Sequence, residues 1–245
     1  MLKIKNYNCI KTIQRAIAHC ALNLYPKLGR FWAELADAML TFVDKFTKSY
    51  FLMLQIHDKS FVEFISQTDI ETRIQWLGQQ ISQDYQGKRP LLVVVLSGAF
   101  MFASELFKSI DIDCEITFIR VSSYQKTNST GKVREILGFS ESLENRAVII
   151  VEDIVDTGLT MVEIMGQISS QKPASVEVAT LLHKPTATKV PVRLKYVGFE
   201  IENKFVIGYG LDYDQLGRNL PAVYQLSSEE WWDSLTLNLS IDIQE

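Results

Sequence analysis

A chain of 245 residues, 47% of them hydrophobic, is long enough to bury a good-sized core without disulfides or metals as staples. Its longest uninterrupted apolar run, Leu91 to Leu96, falls far short of the roughly 18 residues that cross a bilayer, and Cys9, Cys20 and Cys114 share no CxxC spacing, which sets aside a helical membrane protein, a disulfide framework and a zinc site. The net charge of -4 hides an asymmetry, because residues 1–52 hold eight Lys or Arg against three Asp or Glu and leave the remainder at -9; an acidic remainder argues against a nucleic-acid groove, which draws on clustered Lys and Arg.

In chain order, residues 1–52 read as two amphipathic helices separated at Tyr25-Pro26. The first carries Ile10, Ile13, Ile17, Ala21 and Leu24, and the second Trp32, Leu35, Ala36, Met39, Val43 and Phe46, close to the i, i+3, i+4, i+7 template. No acid precedes Glu34, yet the segment lacks the continuous apolar core of a signal peptide. It is expected to be an appendage or the product of a misplaced translation start. From Met53 the pattern becomes that of an α/β domain. Helical spacing runs from Ile70 to Ser82, and Lys88-Arg89-Pro90 leads into the apolar strand Leu91 to Leu96. Ser97-Gly98-Ala99 is a tight turn before a helix through Phe102, Leu106 and Ile110. Cys114 to Val121 reads as a third strand, followed by the polar run Ser122 to Arg134 with Gly131 inside it. A run of this length is a lid or a hairpin. His19, His57 and His183 are scattered singly through the chain, without ligand spacing.

The centre of the sequence is AVIIVEDIVDTGLTM, residues 147–161. Five apolar residues without alternation describe a strand buried on both faces of a parallel sheet. Glu152 and Asp153 are placed where that strand is expected to end, and Asp156-Thr157-Gly158-Leu159-Thr160 opens a helix through Val162, Ile164, Met165 and Ile168. A helix start has unpartnered N–H groups and the positive end of the macrodipole, and both favour a phosphate. Gly158 permits close approach, and the Thr157 and Thr160 hydroxyls add donors. Carboxylates beside a phosphate would repel it unless they face sugar hydroxyls or a hydrated cation, so the pattern points to a sugar phosphate. Downstream, a strand from Ser175 to Leu182 delivers His183-Lys184-Pro185 to its end; a lysine in that position is ordinarily solvated.

The stretch VEDIVDTGLT resembles the phosphoribosyl pyrophosphate motif of type I phosphoribosyltransferases, most closely in their hypoxanthine-guanine branch. The resemblance covers about Met53 to Leu226. It implies an α/β fold, a parallel sheet flanked by helices with a small hood, here carrying an N-terminal helical extension over 1–52 and an acidic tail over 227–245 that includes Trp231-Trp232. Site residues follow from the matching positions. Asp156 would act on the proton at purine N7. Ser97 and Gly98, often preceded in the family by a cis peptide, would meet pyrophosphate, as would Arg218 in LGRNLP. Ser123 and Tyr124 would fold over the reaction as part of a lid. Glu152 and Asp153 would hold ribose hydroxyls and the shell of a Mg²⁺ ion, and Thr157, Gly158, Leu159 and Thr160 the 5′-phosphate. Lys184 in LLHKPTA would donate to the 6-oxo group of the base, with Tyr196 stacking on it and Val197 touching it through backbone. Asn203 stands where many relatives carry an Asp, so its contact with the metal would be indirect, through water.

The expected activity is purine salvage, the Mg²⁺-dependent transfer of phosphoribosyl from phosphoribosyl pyrophosphate to N9 of hypoxanthine or guanine in a cytoplasmic homodimer or homotetramer that binds neither nucleic acid nor membrane. Two alternatives stand beside it: a regulator that keeps the fold without turnover, and an enzyme of the same fold acting on xanthine, adenine or orotate.

Overall fold

A computed structural model describes residues 53–123, 133–137 and 142–227, and all but the first two of these fall in a compact unit beginning at Gln55. The expected helices of residues 1–52, the middle of the polar run with Tyr124, and the tail from 228 lie outside the described residues. Among the described residues, no helix is long and apolar enough to cross a membrane.

The described residues open with two strands that the sequence pattern did not announce, β1 (Leu54–Ile56) and β2 (Lys59–Ile65), followed by α1 (Gln67–Asp84). Next come β3 (Leu91–Leu96), α2 (Phe100–Ser109), β4 (Glu115–Ser123), β5 (Val133–Leu137), β6 (Ala147–Val155), α3 (Leu159–Ser170), β7 (Ser175–His183), a single 3₁₀ turn (Pro185–Ala187), β8 (Tyr196–Glu200), β9 (Val206–Ile207) and β10 (Val223–Leu226). The principal sheet has the order β5-β4-β3-β6-β7-β8. Its five strands from β4 to β8 are parallel, and β5 closes one edge antiparallel to β4. The run LLVVVL is buried from Leu91 to Val95 because helices cover both faces, as parallel sheets require. On one face Leu92, Val94, Ile149, Val151, Ala179 and Leu181 pack against Ile70, Ile74, Leu77 and Ile81 of α1 and Phe102, Ala103 and Leu106 of α2. On the other, Leu91, Val93, Val148 and Ile150 pack against Met161, Ile164 and Ile168 of α3.

Helix α1 begins at a complete cap. Ser66 Oγ accepts from Asp69 N at 3.1 Å and donates to the Asp69 carboxylate at 2.6 Å. Along its length, Arg73 donates from Nε to Gly198 O at 2.7 Å and from a terminal nitrogen to Val197 O at 2.9 Å, holding two carbonyls of the edge strand β8. Its guanidinium rests 4.2 Å from the centre of the Trp76 ring.

Two boundaries differ from the sequence reading. The central strand does not end at Glu152. Its pairing with β3 stops at Val151, while pairing with β7 continues to Val155 opposite His183. Glu152 and Asp153 therefore lie within β6, past the point where its pairing with β3 ends. The polar run also starts and finishes as paired strand, with Ser123 opposite Val133, because β4 continues two residues past Val121.

The hood is a second sheet, β1-β2-β10-β9, assembled from both flanks of the domain. Antiparallel pairing sets Val62 opposite Gln225 and Phe61 opposite Leu226, and β10 in turn pairs with β9.

Candidate active site

Three turns at the carboxyl ends of β3, β6 and β7 form the site, the place where open α/β sheets hold ligands. The turn after β6 is shaped by Gly158, which has φ 81° and stands so close to the Val190 carbonyl that a side chain would strike it. The first helical bond of α3 is Val162 N to Gly158 O at 3.0 Å, so the amides before it are left to other partners. No side chain caps this helix, and its first turn contains no acid. Both omissions suit an anion on the exposed N–H groups and the positive end of the dipole. Leu159 and Thr160 are exposed, Thr157 is half-buried, and the Thr157 carbonyl is held by Lys189 N at 3.0 Å and Val190 N at 3.2 Å.

Beside this turn lie the two acids of β6, each only 9% exposed. Burial, and then the neighbouring Asp153 charge, pushes the Glu152 carboxyl well above the usual carboxylate range. Asp153 Oδ1 accepts from Ile154 N at 2.8 Å. A peptide bond in cis joins Leu96 to Ser97, and Gly98 packs directly on the Asp153 carboxylate, leaving no room for a Cβ. Gly210, with φ 101°, sits in the same way on the Gly98 carbonyl. Arg218 completes the stack. Its guanidinium donates to Gly210 O at 2.8 Å and pairs with Asp212 at 2.6 Å. Asp153, Ser97-Gly98 and Arg218 are thus gathered from three distant parts of the chain.

The acidic pair fits a divalent cation in one respect. Two carboxylates held close in a poorly solvated place carry charge that a hard cation or a set of hydroxyls would relieve. Among the described residues, no three His, Cys, Asp or Glu side chains converge as a metal cage. Such an ion would therefore draw most of its oxygens from water and a phosphate-bearing ligand, which is the habit of Mg²⁺.

Behind the turn, Lys184 is 7% exposed and its ammonium lies 3.2 Å from Asp156 Oδ2. The carboxylate is the accessible partner, with its side chain 44% exposed. A solvated lysine would not be folded in this way, so the ordinary reading of a lysine at a strand end does not hold here.

Other expected residues are placed elsewhere. Tyr196 is 3% exposed in the core, and its hydroxyl donates to Asp84 at 2.7 Å, which leaves no ring face for a base. The Val197 carbonyl is taken by Arg73. Both lie at the start of β8, level with Ala179 and Thr180 in the middle of β7 and so well before Lys184 at its end. Asn203 is exposed in the loop between β8 and β9; the acid that faces Arg218 is Asp212. Ser123 ends β4, and Tyr124 lies outside the described residues. Sequence spacing could not find Asp212, since Gly208, Tyr209, Gly210, Asp214, Gln215 and Gly217 all have positive φ and no helical or strand period survives such a path. Phe205 was also missed, a 42% exposed ring beside Phe61 and Tyr213.

Comparison with known proteins shows the family to which the fold and sequence belong. The phosphoribosyl transferase domain family matches residues 65–214. Over 165 residues the chain is 45% identical to a hypoxanthine-guanine phosphoribosyltransferase of Streptococcus thermophilus, covering 67% of this chain and 92% of that one. It is 45% identical over 166 residues to the Staphylococcus aureus protein of the same name, covering 67% and 93%. A solved hypoxanthine phosphoribosyltransferase from Staphylococcus aureus superposes with a TM-score of 0.65 at 44% identity, covering 69% of this chain and 92% of that one. One from Trypanosoma cruzi gives 0.66 at 35% identity, covering 74% and 99%. On sequence and fold together, the chain belongs to the phosphoribosyltransferase family, in its hypoxanthine-guanine branch.

Proposed function

We propose that this protein carries out purine salvage, transferring phosphoribosyl from phosphoribosyl pyrophosphate to N9 of hypoxanthine or guanine and releasing pyrophosphate. The observation that carries the reading is the buried Lys184 ammonium 3.2 Å from the Asp156 carboxylate, at the edge of a helix start left open to phosphate. N7 and the 6-oxo oxygen lie side by side on one edge of a 6-oxopurine, and a carboxylate next to an ammonium matches N7–H next to O6. As the bond from N9 to C1′ forms and the C1′–O bond to pyrophosphate breaks, Asp156 takes the proton from N7. Lys184 donates to the 6-oxo oxygen. The amides and hydroxyls from Thr157 to Thr160 hold the 5′-phosphate, and Glu152 and Asp153 hold the ribose hydroxyls. Ser97, Gly98 and Arg218 take the pyrophosphate, with Arg218 supplying a planar set of donors. Because Tyr196 has no free face, we assign stacking on the base to Phe205, on the stretch that begins with Ile201 N bonded to His183 O at 2.8 Å. Mg²⁺ held near Glu152 and Asp153 would neutralise charge on the leaving group. Ser123 and Tyr124 would belong to a lid that keeps water from the cationic sugar.

Incubating the purified protein with phosphoribosyl pyrophosphate, Mg²⁺ and each of hypoxanthine, guanine, xanthine, adenine and orotate tests this reading. Formation of IMP and GMP is expected, with adenine disfavoured on the order of 10⁴-fold because it presents a donor to Lys184. Nucleotide from no base would favour the regulator. A cytoplasmic homodimer or homotetramer, with 1–52 dispensable for turnover, is part of the same proposal; sedimentation and a chain starting at Met53 check it.

A further inference from the structure

We propose that Thr188 is a positioning residue that sets the spacing between Lys184 and Asp156, and through that spacing the choice of base. This rests on the assignment of Lys184 and Asp156 to the purine edge. Thr188 follows the 3₁₀ turn Pro185–Ala187. Its hydroxyl lies 3.1 Å from the Lys184 carbonyl and 3.3 Å from the Asp156 carbonyl, so it bridges the backbones of the two residues whose side chains pair. A hydroxyl has a single hydrogen to give, so it donates to these carbonyls in alternation. His183 Nε2, 3.4 Å away, can donate to the same oxygen and complete its coordination.

The next residues extend the clamp. Lys189 N and Val190 N both donate to the Thr157 carbonyl, and the Val190 carbonyl fills the space beside Gly158. Three consecutive residues, Thr188 to Val190, therefore grip three others, Asp156 to Gly158. From the opposite side Lys184 N donates to Val155 O at 3.0 Å, tying the base of the lysine to the end of β6.

A buried lysine has few rotamers to choose from, so the position of its ammonium follows its backbone. What must be held constant is the distance from carboxylate to ammonium, because N7 and O6 are fixed neighbours on the purine. Placement errors of about 1 Å are costly to reactions that depend on alignment. Without the Thr188 hydroxyl, two carbonyls lose a shared donor and the spacing loosens. The phosphate turn keeps its two backbone bonds from Lys189 and Val190.

The test compares Thr188→Val, which keeps the branched shape and removes the hydroxyl, with Thr188→Ser, which keeps the hydroxyl. Initial rates are measured with hypoxanthine and with adenine, at varied phosphoribosyl pyrophosphate and fixed Mg²⁺, alongside thermal unfolding of each variant. In Thr188→Val, kcat/KM for hypoxanthine should fall about tenfold or more, chiefly through KM for the base. KM for phosphoribosyl pyrophosphate should stay within about twofold, and the preference over adenine should narrow. Thr188→Ser should remain close to wild type. Unchanged kinetics in Thr188→Val, or an equal loss in Thr188→Ser, would overturn the proposal, as would a lower melting temperature with unaltered kinetics. If Thr188→Val does not fold, Thr188→Ala set against Thr188→Ser gives the same comparison. Lys184→Gln separates the two levels. A change in base preference there without one in Thr188→Val sinks this proposal alone, whereas no change in Lys184→Gln sinks the assignment of the lysine.

Discussion

Helices α1 and α3 both follow a strand, yet they begin in opposite ways. At α1, Ser66 covers the Asp69 amide and Asp69 places a negative charge in the first turn, so the positive end of the helix is neutralised from within. At α3, a left-handed glycine stands at the cap, with no side-chain bond and no acid behind it. Helix α2, which follows the Ser97-Gly98 turn, is likewise uncapped. The chain caps the start of α1 and leaves uncapped the starts of α2 and α3, the two at the proposed site. Stability given up at a helix end is what the proposed phosphate site would require.

The strongest way to sharpen this contrast is to remove the chemistry and leave the open start intact. Asp156→Asn should lower kcat by about 10²- to 10⁴-fold, the usual scale of acid–base assistance. Affinity for phosphoribosyl pyrophosphate, measured by calorimetry, should survive because the amides of α3 are untouched. An equal loss of affinity and rate would make Asp156 a structural part of the turn.

Next is Thr160→Asp, which gives α3 the acid that α1 already has. Helix energetics favour the change by about 0.3–1 kcal/mol, so the free protein should melt slightly higher. Binding of phosphoribosyl pyrophosphate should weaken by about thirtyfold, since like charges about 8 Å apart at an effective dielectric constant of 20 repel by about 2 kcal/mol. The opposite signs are the test. If both quantities rose, the phosphate would have to sit elsewhere.

A smaller effect, graded with pH, is expected at Glu152. Its folded pKa is raised by burial and by Asp153, so its favourable contribution is complete below the ordinary glutamate value and is lost as pH rises through the folded one. Glu152→Gln removes that loss. Without ligand, the variant's stability relative to wild type should therefore increase from acid toward neutral pH, and activity should fall. Melting curves at several pH values check this; a flat difference would mean that Glu152 is already relieved in the free protein. The smallest effect belongs to Ser66→Ala, which should cost about 1 kcal/mol of stability and change neither kcat nor KM.

How much of this was legible in the sequence depends on the range of the contacts. The strands Leu91 to Leu96 and Ala147 to Val151 could be read because burial on both faces leaves a continuous apolar run. The turn at Asp156 to Thr160 could be read because its parts are adjacent. The hood could not be read, since Val62 pairs with Gln225 and strands as short as β9, with two residues, leave no period. The most instructive error concerns the base. Beyond Lys184, an aromatic residue followed by valine occurs twice, as Tyr196-Val197 and Phe205-Val206, and a polar residue follows at the same interval in each, as Asn203 and Asp212. The pattern alone gives no reason to prefer the second set. Burial favours the second set as the proposed site, because Tyr196 is inside with its hydroxyl on Asp84 while Phe205 is exposed and Asp212 stands against Arg218.

The grip of Arg73 on the carbonyls of Val197 and Gly198 has a consequence for the protein in a crowded solution. Strand β8 ends the principal sheet, and an unguarded edge of that kind is a template on which another chain can grow a strand. A guest strand would have to displace a guanidinium that is held by two hydrogen bonds and stacked on Trp76. An arginine reaching across from a helix thus occupies backbone groups of that edge, and its loss is expected to be felt first in the yield of soluble protein rather than in the rate of any reaction.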